Sequence, residues 1–74
     1  MPISAYNSQT NTFTDPTQRD LYYAAAGIMK SKHAVGKTFK DALEAAKNLD
    51  QPHRDAYKLN AGTLSDQQLY QMNK

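Results

Sequence analysis

The sequence predicts an all-α domain, a small bundle of three to four short helices behind an extended or flexible N-terminal arm. Three observations carry this reading. Apolar residues recur at three- and four-residue spacing in two long stretches, 16–32 and 38–49. Residues that favour helix N-caps (Asp15, Thr38 and Ser65) stand at the head of such runs. The first fourteen residues contain no Lys, Arg, Asp or Glu and are rich in Ser, Asn, Thr and Gln. Such a segment has little to bury, so residues 1–14 are read as the arm and 15–74 as a single helical domain. Within the arm, Ile3, Ala5 and Tyr6 are candidates to dock on the helices, and Tyr6 with Phe13 to form a weak hairpin.

The first helix begins at Asp15, with Pro16 suited to the first helical position and Gln18 completing a capping-box pattern. Leu21, Tyr22, Ala25, Ile28 and Met29 form one apolar stripe. The run Ala24, Ala25, Ala26, Gly27 is small enough for another backbone to approach closely. Gly27 costs a helix up to about 1 kcal/mol relative to Ala, which makes close packing its expected reason. The helix should fade near Lys32, where Lys30 and Lys32 suit its negative end.

Gly36 punctuates the connection that follows. Thr38 then caps a second helix, with Asp41 three positions on and Phe39, Ala42, Leu43, Ala46 and Leu49 as its buried stripe. Asp50, Gln51 and Pro52 end that helix and open a third, to which Ala56, Tyr57 and Leu59 are assigned as apolar contacts. Gly62 is placed to terminate it in a left-handed conformation. The last helix has Ser65 and Gln68 as a capping box and Leu64 and Leu69 as a hydrophobic staple. Helices one and two are expected to form an antiparallel pair, with three and four closing the core from one end.

Composition bounds the energetics. Among 74 residues there are six Leu, two Ile, one Val and two Phe, against ten Ala and five Tyr. The core is therefore thin, and ordering each residue costs roughly 1.5 kcal/mol that burial must offset. With no cysteine, neither a disulfide nor a thiolate zinc site helps. Modest stability is expected, with a melt below about 65 °C or support from self-association or a partner. No apolar run approaches the ~20 residues of a membrane span, and the N-terminus lacks the pattern of a signal peptide. The expected location is cytoplasmic, with no membrane partner.

Several motifs invite a function. His33-Ala34-Val35-Gly36-Lys37-Thr38 ends like a phosphate-binding loop, but Ser31 stands where the pattern needs its first Gly, and a helix precedes it instead of a strand. What survives is a weaker anion site at the start of the second helix beside Lys37, against the plainer reading of Thr38 as a cap and Gly36 as a turn. A helix-turn-helix reading of 38–62 would use His53, Arg54, Lys58 and Asn60, but Asp50 and Asp55 would face the phosphates. No Asp or Glu repeats at ligand spacing around His33 and His53, so each is expected to be a surface histidine. Nothing resembles a nucleophile elbow or a carboxylate pair, so no enzyme, metal or cofactor is expected.

Two features remain. Lys30, Lys32, Lys37 and Lys40 fall within eleven residues that contain no acid, in a chain of net charge +2. Tyr22 and Tyr23 lie about 100° apart on one helix, so one of them should reach its edge. The expectation is a non-enzymatic protein-interaction module: a small adaptor, inhibitor or accessory protein of a size common in bacteria and phages. Its partner-binding residues would be Tyr23, Gly27, Lys30, Lys32, Lys37 and Lys40. The alternative is a weak nucleic-acid binder using Lys30, Lys32, His33, Lys37 and Lys40, and the second alternative a self-associating assembly component.

Overall fold

The computed structural model describes residues 6–72, apart from the His33 side chain. Ile3 and Ala5, candidates for docking, lie outside the described residues. Six elements follow in order. A two-stranded hairpin pairs β1 (Tyr6–Asn7) with β2 (Thr12–Phe13), and four helices succeed it: α1 (Pro16–Met29), α2 (Phe39–Lys47), α3 (Gln51–Ala61) and α4 (Asp66–Gln71). A single 3-10 turn, Lys32–Ala34, interrupts the α1–α2 connection. The fold is thus a small helical bundle behind an extended N-terminal element.

Helix starts follow local chemistry. Thr38 and Asp41 form a reciprocal capping box at α2, and Ser65 and Gln68 form another at α4. At α1 the Asp15 carboxylate takes the N–H of Thr17, instead of forming the expected box with Gln18. Asp50 caps α3 by accepting from the His53 amide. Gly62 ends α3 with the positive φ expected of it, 76°, but at ψ −159° it lies in the extended region that only glycine enters without strain and not in the left-handed helical one.

The arm contains more structure than its composition suggests. Tyr6 pairs with Phe13 in the hairpin, and Tyr6 is buried. Its ring stacks on Tyr70 of α4 at 4.0 Å between centroids, while Phe13 tilts against Tyr22 of α1 at 4.9 Å. The Phe13 amide donates to Asp66 at 2.9 Å, and the same carboxylate pairs with Arg19 at 2.7 Å. Hairpin, α1 and α4 are therefore held by one aromatic cluster and one shared carboxylate. Burial disfavours the ionised Asp66, but the Arg19 guanidinium and the Phe13 N–H outweigh it and hold the carboxyl below its ordinary value.

Helix α1 is the shared element of the core. Its buried face of Leu21, Ala24, Ala25, Ala26 and Ile28 meets Phe39, Ala42 and Ala46 of α2, Ala61 of α3 and Leu69 of α4. Six of these ten side chains are alanine, so helices close by near approach of backbones and not by bulky interdigitation. The pairing differs from expectation in one respect. Helix α3 does not close the end of the bundle; it runs alongside α1 in the same sense. Asp20 meets Gln51, Arg54 and Lys58, Gly27 meets Tyr57 and Asn60, and Lys30 meets Ala61.

The inner face of α3 also differs from the one assigned. Leu59 is 85% exposed and Ala56 is exposed, whereas Arg54, Tyr57, Lys58 and Ala61 face inward. These four stand at i, i+3, i+4 and i+7, a regular helical stripe whose polar members bury their stems and pair their heads. Lys58 and Arg54 both pair with Asp20 of α1, the latter at 3.7 Å. The long-range partner Asp20 is what lets two cations replace the expected apolar contacts.

Candidate interaction surface

The α1–α2 connection is built from its own backbone bonds. Lys30 is the C-cap of α1, Ser31 donates from N to the Ile28 carbonyl at 3.0 Å, and Ala34 donates to Ser31 at 3.2 Å. Lys37 then donates to Ala34 at 2.9 Å, and Gly36 reverses the chain at φ 76° before Thr38 opens α2. The result is a wound loop with Val35 87% exposed at its tip.

The six residues expected to bind a partner divide into two groups. Three are structural attachments. Gly27 is buried against α3, where a Cβ would fall 1.8 Å from the Tyr57 carbonyl oxygen; the Gly27 carbonyl also accepts from Asn60 Nδ2 at 3.0 Å. The close backbone approach read from Ala24 to Gly27 is thus satisfied within the chain, and this face is not open to a partner. The Tyr23 hydroxyl donates to the Leu64 carbonyl and accepts the Leu64 amide at 3.2 Å, pinning the α3–α4 connection. Arg19 covers its ring at 4.9 Å. Lys30 sends its ammonium to the Ala61 carbonyl at 2.9 Å, where a cation suits the C-terminus of α3.

The other three, Lys32, Lys37 and Lys40, are exposed. Among the described residues they make no ion pair, whereas every other described cation has a partner. Arg19 has Asp66, Lys30 has the Ala61 carbonyl, Lys47 has Glu44, Arg54 has Asp20, and Lys58 has Asp20 and Asp55. The described lysines without an ion pair therefore lie within nine consecutive positions. His33, added for nucleic-acid binding, has its side chain outside the described residues.

The remaining motifs lose their chemistry to structural roles. At the start of α2, Asp41 places a carboxylate against the Thr38 amide at 3.0 Å, and its own amide goes to the Thr38 hydroxyl at 3.2 Å. Those backbone bonds, with Lys37 and Lys40 nearby, hold the Asp41 carboxyl below its ordinary value. A second anion there would face that carboxylate, so the plainer reading of a cap and a turn stands. In α3, Arg54 and Lys58 are committed to Asp20 and Asn60 to Gly27, which removes three of the four side chains a helix-turn-helix reading needs.

Sequence reasoning passed over two features. Val35 carries a simple signal, an apolar residue between lysines at a glycine turn. The second is a depression of about 660 Å³ beside the loop, floored by Phe39, Leu43 and Met72 and rimmed by Lys40, Glu44 and Lys47. Its floor joins α2 to the C-terminal end of α4, a pairing no local pattern reveals. The other large exposed apolar residue, Leu59, sits among Arg19, Asp55 and Lys58, whose charges are already paired. Among the described residues no helix is long and apolar enough to cross a membrane. Comparison with known protein families, curated proteins and solved structures finds no match to this chain.

Proposed function

We propose that the protein is a non-enzymatic interaction module that docks its α1–α2 loop on an acidic surface of a protein partner. The observation that carries this reading is the segregation of charge: Lys32, Lys37 and Lys40 make no ion pair among the described residues, with only the capping carboxylate of Asp41 near the latter two, while the other described cations each have a partner. Lysines without ion pairs are free to form charge-assisted bonds without first breaking internal ones. Val35 at the loop tip favours a protein over a phosphate backbone, because an exposed aliphatic side chain finds a matching contact only on a surface with apolar atoms.

The experiment is parallel capture from cell extract on immobilised wild-type protein and on a Lys32→Glu, Lys37→Glu, Lys40→Glu variant. A protein held by wild type should be lost by the variant and released by salt, since exposed charge attraction is screened beyond about 8 Å at physiological ionic strength. Undiminished capture by the variant would remove the loop from the binding surface. Duplex DNA titrated in parallel tests the alternative: a log–log salt slope near about −3 would match three phosphate contacts and reassign the loop to nucleic acid.

A further inference from the structure

We infer that the depression beside the loop receives an aliphatic side chain from an acidic linear segment of the partner, an inference that rests on the loop being the docking surface. Phe39 and Leu43 are four residues apart on one face of α2, and Met72 closes the floor from the end of α4. Phe39 is buried, while Leu43 and Met72 are half-buried, so the floor keeps apolar surface in contact with water. The volume of about 660 Å³ accommodates more than one side chain and lies within the range of small-ligand and peptide-anchor pockets.

The rim specifies the charge of the occupant. Glu44 stands four residues beyond Lys40 but pairs instead with Lys47 at 3.5 Å, so Lys40 makes no ion pair at the mouth and the three charged residues lining it leave one positive charge in excess. Lys37 is one turn upstream and is also unpaired. The rim therefore carries net positive charge over an apolar floor, which complements a segment alternating carboxylates with an aliphatic residue. A purely acidic partner would leave the floor wet, and a nucleic-acid backbone would do the same.

The full-length chain can be titrated against three fluorescein-labelled twelve-residue peptides by fluorescence anisotropy at low salt. One carries six Glu and two Leu four residues apart; the second replaces both Leu with Ser; the third keeps both Leu and replaces every Glu with Gln. The first should bind about tenfold or more tighter than the second, the gain expected from burying one leucine side chain. The advantage should vanish in Leu43→Asn, with Met72→Asn as an independent second variant. Equal binding of both acidic peptides would overturn the depression as an anchor site while leaving the loop reading intact. Failure of both acidic peptides to bind would overturn both. Equal binding of the Gln peptide would overturn the charge requirement. A concentration-dependent rise in mass without peptide, abolished by Leu43→Asn, would assign the depression to a second copy of this chain instead.

Discussion

Replacing Gly27 with Ala tests the closest contact in the bundle. An ideal Cβ at this position lies 1.8 Å from the Tyr57 carbonyl oxygen, 2.5 Å from its carbon and 3.0 Å from its Cα. All three atoms are backbone, so no side chain can swing away. To reach even a very tight separation of 3.0 Å from the oxygen, α1 and α3 must part by 3.0 − 1.8 = 1.2 Å. Overpacking of this kind costs about 1–3 kcal/mol, and an unyielding backbone places this site at the upper end. The displacement also stretches the Asn60 bond to the Gly27 carbonyl, worth about 1 kcal/mol. Against this, alanine gains up to about 1 kcal/mol of helix propensity.

The net is a loss of about 2–3 kcal/mol, which for a chain of this size lowers Tm by roughly 10–20 °C. Urea unfolding followed by circular dichroism reads it directly, with Gly36→Ala as the control. Gly36 has positive φ but nothing within 4 Å of a Cβ, so its substitution carries only the conformational cost of about 1–2 kcal/mol. A Gly27→Ala protein as stable as wild type would refute the close crossing of α1 and α3. Because alanine is favoured over glycine in a helix, any loss at Gly27 measures the steric contact, whereas the loss at Gly36 measures the positive φ alone.

Two further outcomes follow from the same contacts. Tyr23→Phe removes one hydroxyl that both donates to and accepts from Leu64, and should cost about 1–2 kcal/mol in the urea midpoint with partner capture unchanged; loss of capture at full stability would return Tyr23 to the binding surface. Acid should destabilise the fold: for Asp20, burial opposes ionisation, but hydrogen bonds from Lys58 and Gln51 prevail and hold the carboxyl below its ordinary 3.8, as Asp66 is held by Arg19 and Phe13. A depressed carboxylate contributes stability that is present above its unfolded value near 4 and is lost as pH falls through the lower folded value, so urea midpoints should drop below about pH 4 and drop less in Asp20→Asn. Midpoints that do not change between neutral pH and strong acid would contradict both pairings.

The parts of the fold legible in the sequence are those fixed by neighbours a few residues apart. The Thr38–Asp41 and Ser65–Gln68 boxes need only a four-residue window, and Gly62 announces the end of α3 and a positive φ, though not the ψ that goes with it. The face of α3 was not legible, because its stripe of Arg54, Tyr57, Lys58 and Ala61 becomes an inward face only once Asp20, more than thirty residues away, neutralises the cations. The surface was half legible for the same reason. The lysine run stood out as composition, but nothing local separated Lys30, which caps α3 through Ala61, from the three lysines that remain free. Gly27 was correctly read as a place of close backbone approach. That the approaching backbone was α3 of the same chain depended on topology alone.

The division among the lysines is tested most directly by the urea midpoints of four single variants, Lys30→Ala, Lys32→Ala, Lys37→Ala and Lys40→Ala. Only Lys30→Ala should lower the midpoint, by about 0.5–1 kcal/mol for a cation bonded at a helix C-terminus, while the other three stay within about 0.5 kcal/mol of wild type. An equal loss in all four would show that Lys32, Lys37 and Lys40 are also committed to the fold, and the loop would no longer be a free surface for a partner.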